Sequence, residues 1–202
     1  PMRDLIAELR EAEARRERGE PAHWGDLIVR LMRVSVQQNT VLEERAAIHL
    51  RLQIEVEGPR ARDLLQSTLS NDLDRLSPGE AQYTLLTNET GGVIDDLIAY
   101  RVAEHSYLLV VNAANREDAY TWLKEREIPG SDVRDVSDDC ALLAVQGPKA
   151  IERLGLPPAR PFTFAEASLD GVEVMVNRTG YTGEDGCELL CMSEDAVRLW
   201  DG

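Results

Sequence analysis

Leu52-Gln53-Ile54-Glu55-Val56-Glu57-Gly58-Pro59-Arg60 is a strand running into a helix. Ile54 and Val56 alternate with Glu55 and Glu57, the two-residue period of a strand with one apolar face, and Gly58-Pro59 ends it. Proline suits a first helical turn, so a helix is expected over residues 60–69. The phrase returns further along. Residues 142–154 run from an apolar strand through Gly147-Pro148 into a helical stretch over 149–154, so Val145-Gln146-Gly147-Pro148 echoes Val56-Glu57-Gly58-Pro59. A unit repeated in this way marks an internal duplication.

Each copy leads into elements similar in kind. After the first come strands at residues 82–87, 93–102 and 107–112, then a helix over 115–127 with Asn115 as its N-cap. After the second come strands at 172–177 and 187–191 and a helix over 194–200. The expected fold is therefore one α+β domain made of duplicated split-βαβ, ferredoxin-like units. Ahead of it, residues 4–18 space Leu5, Ile6, Leu9, Ala12 and Ala14 as an amphipathic helix ended by Gly19 and Pro21. Residues 27–36 read as helix or strand, and 41–49 as helix. The expected organisation is a helical N-terminal segment over 1–50 and the α+β region over 51–202.

The 202 residues carry 43% hydrophobic content, enough for a real core. With 37 acidic residues against 22 Lys plus Arg, the formal charge is -15, which argues against nucleic acid and anionic membrane surfaces as partners. No apolar run approaches the roughly 20 residues that span a bilayer, and residues 1–20 are charged where a signal peptide is apolar. Cys140, Cys187 and Cys191 form no CxxC pair and suit a reducing compartment. His23, His49 and His105 are scattered without ligand spacing, so no metal is expected.

Several polar residues interrupt the apolar strands. Asp96 shares a strand face with Ile98 and Tyr100 while Asp95 points the other way, so the two are not a catalytic carboxylate pair. One of them is either a site carboxylate or an Asp facing water from an edge strand. Asn88-Glu89-Thr90-Gly91-Gly92 reads as a hairpin link. Asn112 offers an amide to a ligand or serves as a turn or cap. Tyr83 is a core ring or a ligand wall. Arg178-Thr179-Gly180-Tyr181-Thr182-Gly183-Glu184-Asp185-Gly186 lacks the lysine and hydroxyl of a phosphate loop and reads as an irregular loop or bulge.

At these residues the sequence resembles the aminomethyltransferases, the T-proteins of glycine cleavage systems. The matching runs are Asn71-Asp72-Leu73, Ala81-Gln82-Tyr83-Thr84-Leu85-Leu86, Asn88 through Gly91-Gly92-Val93-Ile94-Asp95-Asp96-Leu97-Ile98, Val110-Val111-Asn112-Ala113-Ala114-Asn115-Arg116-Glu117, residues 143–149 and residues 178–188. Looser resemblances are to the folate-binding domains of sarcosine and dimethylglycine dehydrogenases and to YgfZ-type iron-sulfur assembly proteins. The resemblance implies a three-domain cloverleaf around a tetrahydrofolate site, of which this chain supplies the first domain and most of a second. It implies a reaction in which the aminomethyl group on the dihydrolipoyl arm of the lipoylated H-protein passes to tetrahydrofolate with release of ammonia. No metal takes part.

By the same resemblance Asp96 is the essential carboxylate beside the reacting folate nitrogens. Glu188 and Asn112 hydrogen-bond the pterin, Ile98 contacts it through its backbone, and Tyr83 and Tyr181 wall the cavity. A non-catalytic or degenerate folate-binding module is the alternative. The family's Gly-Leu-Phe-Asp run and the Ser-His-Met-Gly segment before the first strand are missing, and the family's second half would lie beyond Gly202. The expectation is thus an incomplete copy, from the cytoplasm of a bacterium or archaeon or from a mitochondrial matrix.

Overall fold

The computed structural model describes residues 45–48 and 51–201. The expectations for residues 4–18 and 27–36 lie outside the described residues. The strands are β1 (Arg45–Ile48), β2 (Arg51–Glu57), β3 (Glu80–Thr87), β4 (Val93–Ala103), β5 (Ser106–Asn112), β6 (Asp132–Asp135), β7 (Cys140–Gln146), β8 (Phe164–Leu169), β9 (Val172–Asn177) and β10 (Gly186–Met192). The α-helices are α1 (Ala61–Thr68), α2 (Arg116–Glu125), α3 (Ala150–Arg153) and α4 (Ala196–Asp201). Where the sequence suggests one domain over 51–202, the chain groups into two compact units. The first holds Arg51–Cys140 with Pro161–Ala165, and the second holds β1, Ala141–Arg160 and the chain from Glu166 onward.

The first unit is a five-stranded sheet in the order β3-β4-β5-β2-β6. The period-two alternation decides its faces. Ile54 and Val56 of β2, Leu97 and Ala99 of β4, and Leu109 and Val111 of β5 form one core with Leu64 and Leu65 of α1 and Ala119 and Leu123 of α2. Helix α1 buries Ala61, Leu64, Leu65 and Thr68, the i, i+3, i+4, i+7 stripe of a helix lying on a sheet. The opposite face carries Tyr83, Asp96, Ile98, Tyr100, Val110 and Asn112, with Ile98 opposite Tyr83 on one side and Val110 on the other.

The second unit repeats the pattern in the order β1-β7-β10-β9-β8. Its core joins Leu143, Val172, Val174, Val176, Cys187, Leu189 and Cys191, with Ile151, Leu154, Leu199 and Trp200 packed against them. The run β3-β4-β5-β2 in one unit answers β8-β9-β10-β7 in the other, so the duplicated split-βαβ fold is what the chain adopts.

The echoed glycines show the duplication at the level of single bonds. Gly58 and Gly147 both take positive φ, 109° and 143°. The Gly58 amide donates to the His105 carbonyl at 2.9 Å and the Gly147 amide to the Asp185 carbonyl at 2.6 Å, in each case the connection ahead of the returning strand. The carbonyl of each glycine then accepts from Ala61 or Ala150, opening the next helix. A side chain at Gly58 would collide with the Gly130 carbonyl, so only glycine fits there.

Three local expectations differ. The helix expected over 41–49 gives way at Arg45–Ile48 to strand β1, which pairs antiparallel with β7. In the second unit it holds the outer position beside β7 that β6 holds beside β2 in the first. Strands β6 and β8 are also not apparent in the sequence. Asp132-Val133-Arg134-Asp135 buries only Val133, and a four-residue charged edge has too little apolar alternation to declare itself. Pro59 falls just ahead of the helix, whose N-cap is Arg60. The hairpin link behaves as expected: Asn88 Oδ1 accepts from the amides of Thr90 and Gly92, and Gly91 takes φ 83°.

Candidate functional site

Four of the six expected site residues gather on the helix-free face of the first unit. Asp96 is exposed, and its carboxylate is held at both oxygens. Tyr83 Oη donates to Oδ2 at 3.1 Å and Asn112 Nδ2 to Oδ1 at 3.0 Å. Tyr83 is 51% exposed, so its ring lies at the surface and is not a core ring. Ile98 is buried two residues along the same face. The strands explain the grouping: β3, β4 and β5 are neighbours, and each contributes residues whose Cβ atoms point the same way.

Asp95 points to the helix side and is buried to 1% exposure. Its carboxylate accepts from the Asn112 backbone amide at 2.9 Å, from Asn112 Nδ2 at 2.9 Å and from Asn115 Nδ2 at 2.6 Å. Asn115 stands at the expected N-cap of α2, but its side chain caps nothing and turns to Asp95 instead. Just past it, Arg116 Nε donates to Asp135 Oδ2 at 2.7 Å, tying the start of α2 to β6. Burial alone would raise the Asp135 carboxyl; the bonds from Arg116 and Ser137 outweigh that and hold it below the usual carboxylate range.

Asn112 thus joins two carboxylates. Its Nδ2 faces Asp95 Oδ1, Asp96 Oδ1 and the Asp96 carbonyl, all acceptors, which orients the amide with nitrogen inward. The result is a chain of polar contacts, Tyr83 to Asp96 to Asn112 to Asp95 to Asn115, that fixes an exposed anion with no cation in contact among the described residues.

The remaining two expected residues lie in the second unit. Glu188 is fully buried in β10. Its Oε2 accepts from Thr179 Oγ1 at 2.6 Å, while Oε1 has no hydrogen-bond partner. Directly across the strand pair is Asn177, also fully buried, with neither amide atom hydrogen-bonded. Unpaired buried groups of this kind cost about 1–3 kcal/mol each. Tyr181 is 44% exposed in the loop joining β9 and β10.

That loop is anchored at several points. Arg178 donates to the Gly186 carbonyl at 2.9 Å and to Asp185 at 2.7 Å, and Gln146 Nε2 donates to the Cys187 carbonyl at 2.9 Å. Gly180 lies so close to Gln146 Oε1 that a side chain would collide. Burial pushes the neighbouring Cys187 thiol up to about 11.

The family model described as GCVT N-terminal domain matches residues 47–202, a span that takes in both carboxylates and their partners. The chain belongs to that family. Its relatives include an aminomethyltransferase of Geobacillus kaustophilus, 43% identical over 182 residues that make up 82% of this chain and 50% of the relative. An aminomethyltransferase of Thermotoga neapolitana is 43% identical over 156 residues, 74% of this chain and 43% of the relative. Among solved structures, the glycine cleavage system aminomethyltransferase T from Bartonella henselae is similar at TM-score 0.69 and 31% identity, covering 80% of this chain and 45% of that one. A heterotetrameric sarcosine oxidase from Corynebacterium sp. U-96 shares the fold at TM-score 0.59 and 15% identity, over 84% of this chain and 89% of that chain. The chain spans about half the length of the curated relatives it matches.

Within this GCVT-family chain, Asp95, Asn115 and Thr179 are partners, and Asn177 a register neighbour, that the sequence does not assign to the site. Asp95 is visible as a carboxylate in an apolar strand, but its partners arrive from β5 and α2, which no local pattern reveals. Thr179 stands inside the glycine-rich run over 178–186, and Asn177 looks like an ordinary strand end.

Proposed function

We propose that the chain is the folate-binding part of an aminomethyltransferase of a glycine cleavage system, acting on the aminomethyl group carried by a lipoylated H-protein and on tetrahydrofolate. The observation that supports it is the Asp96 carboxylate, exposed yet held at both oxygens by Tyr83 and Asn112. The carbon being moved exchanges its bonds to sulfur and nitrogen for bonds to two folate nitrogens. The two protons lost by those nitrogens end on the dihydrolipoyl sulfur and the departing ammonia. Positive charge develops at that carbon as the bonds exchange, and a fixed anion both stabilises it and accepts a proton in transit.

In this reading Glu188 accepts hydrogen bonds from the pterin, and Asn112, its nitrogen engaged by the two carboxylates, turns its oxygen to a ligand N–H. Ile98 lines the ligand with its backbone, and Tyr83 and Tyr181 supply flat walls for a flat heterocycle. Cys140, Cys187 and Cys191 form no disulfide, which fits a reducing compartment such as a cytoplasm or a mitochondrial matrix.

The test is Asp96→Asn, assayed for transfer from loaded H-protein and, separately, for tetrahydrofolate binding by calorimetry. Transfer is expected to fall by about 100-fold or more with binding nearly unchanged. Lost binding with surviving transfer would sink the assignment. Saturable binding without transfer by the unaltered protein would favour a non-catalytic folate-binding module.

A further inference from the structure

Gln146 closes β7 at the position that Glu57 holds at the end of β2, directly ahead of the echoed Gly-Pro step. The two copies use that position differently. In the first, the connection ahead of the returning strand is only Glu104-His105, and Glu57 forms an ion pair with Arg134 on the neighbouring β6. In the second, the connection runs over residues 178–185, carries Tyr181 and folds onto Gln146, which is 5% exposed.

Both ends of the Gln146 amide are engaged there. Nε2 donates to the Cys187 carbonyl at 2.9 Å and to the Thr179 carbonyl at 3.4 Å, and Oε1 accepts from Thr182 Oγ1 at 3.2 Å. Two carbonyls on one side and a hydroxyl on the other fix which way the amide points. That hydroxyl accepts in turn from the Glu184 amide at 3.3 Å. Thr179 and Thr182 bracket Tyr181, so one buried side chain holds the loop on either side of its exposed ring. Gly180 completes the fit. Its backbone lies outside the left-handed region, so its conformation does not call for glycine. The reason is Gln146 Oε1, with which a Cβ at Gly180 would collide.

We propose, resting on the reading that this unit takes a tetrahydrofolate against Tyr181, that Gln146 is a positioning residue that holds the 178–185 loop in its binding shape before the ligand arrives. It acts through the loop and not by contact with the ligand. A loop already ordered gives up little freedom on binding, whereas a loose one takes that cost out of affinity.

The experiment is a calorimetric titration of the whole chain with tetrahydrofolate, for the unaltered protein, Gln146→Met, Gln146→Ala, Gly180→Ala and the double variant of Gln146→Ala with Gly180→Ala, with melting curves taken without ligand. Gln146→Met keeps the length of the side chain and removes its hydrogen bonds, and Gly180→Ala pushes the amide from its place, so each is expected to weaken binding by about 10-fold. In the Gln146→Ala background the colliding atom is gone, and adding Gly180→Ala is expected to change affinity by less than about two-fold. Losses that instead multiply in the double variant mean that the two residues act independently, which overturns the proposal. So does a lowered melting temperature with affinity intact, the mark of a purely structural Gln146. Gly180→Ala changes an exposed loop position and carries the test alone where a Gln146 variant does not fold, unchanged affinity again overturning the proposal. Affinity unchanged in every variant of a protein that binds tetrahydrofolate overturns this inference and leaves the folate reading standing, whereas no binding by the unaltered protein overturns both.

Discussion

Asp96 in the first unit and Glu188 in the second are each a carboxylate on the helix-free face of a duplicated sheet, yet their surroundings are opposite. Asp96 is exposed and bonded at both oxygens, and the amide beside it is locked by a second, buried carboxylate. Glu188 is buried, bonded at one oxygen, and faces an amide bonded to nothing. The first arrangement is complete as it stands and fits a group that must hold its charge in place while bonds change. The second has hydrogen-bonding capacity unused at full burial, which fits recognition. One topology, copied, thus supports two kinds of polar site because the side chains that decide them differ: Tyr83 and Asn112 around Asp96, Thr179 and Asn177 beside Glu188.

The largest separation between the two should come from Glu188→Ala. Losing a hydrogen bond to a charged group is worth about 1.5–3 kcal/mol, so tetrahydrofolate affinity should fall by about 10- to 100-fold in a titration. Melting should change little, since only the Thr179 bond is lost. Affinity equal to the unaltered protein would erase the contrast.

Asp95→Asn attacks the complete network. It sets an amide against the amides of Asn112 and Asn115, and about 1–3 kcal/mol of stability should be lost in a denaturant titration, with slower transfer as Asp96 loses its support. A variant as stable as the parent would mean that the network adapts freely.

The units should also fail at opposite ends of the pH scale. Asp135, held below its ordinary value, contributes stability that is present above the unfolded carboxylate range near 4 and is lost as pH falls through its folded value. Cys187, raised to about 11, contributes stability that is complete below the unfolded thiol value near 8.5 and is lost as pH rises through 11. Arg116→Ala should shrink the acid limb of the stability profile and Cys187→Ala the alkaline limb. Limbs that do not move would sink these assignments. The smallest effect is expected from Tyr83→Phe, which removes one bond at an exposed site: stability within about 0.5 kcal/mol and transfer slowed only a few-fold.

Much of this protein is legible in its sequence because the signals are local. The alternation at Ile54 and Val56, the echoed Gly-Pro steps and the Asn88 link each concern residues a few positions apart, and the strands and helices are built on them. The placement of Asp95 and Asp96 on opposite faces was equally available, since side chains alternate along any strand. Strand β6 escaped because a four-residue charged edge is defined by the neighbour it pairs with, and β8 because none of its six residues is fully buried, which leaves no clear alternation. The helix expected over 41–49 failed at β1 for the same reason, its pairing with β7 overriding local preference.

The site divides along the same line. By itself the sequence determined the duplicated fold and the family and named candidate site residues, since each rests on pattern or motif. Only the tertiary structure decided which polar atoms are already satisfied. Asn115 looks like a helix cap and instead bonds Asp95, while Asn177 looks like a strand end and instead lies unpartnered beside Glu188. The physical reason is that a hydrogen bond depends on two groups meeting in space, and strand register and loop closure bring together groups that local sequence leaves apart.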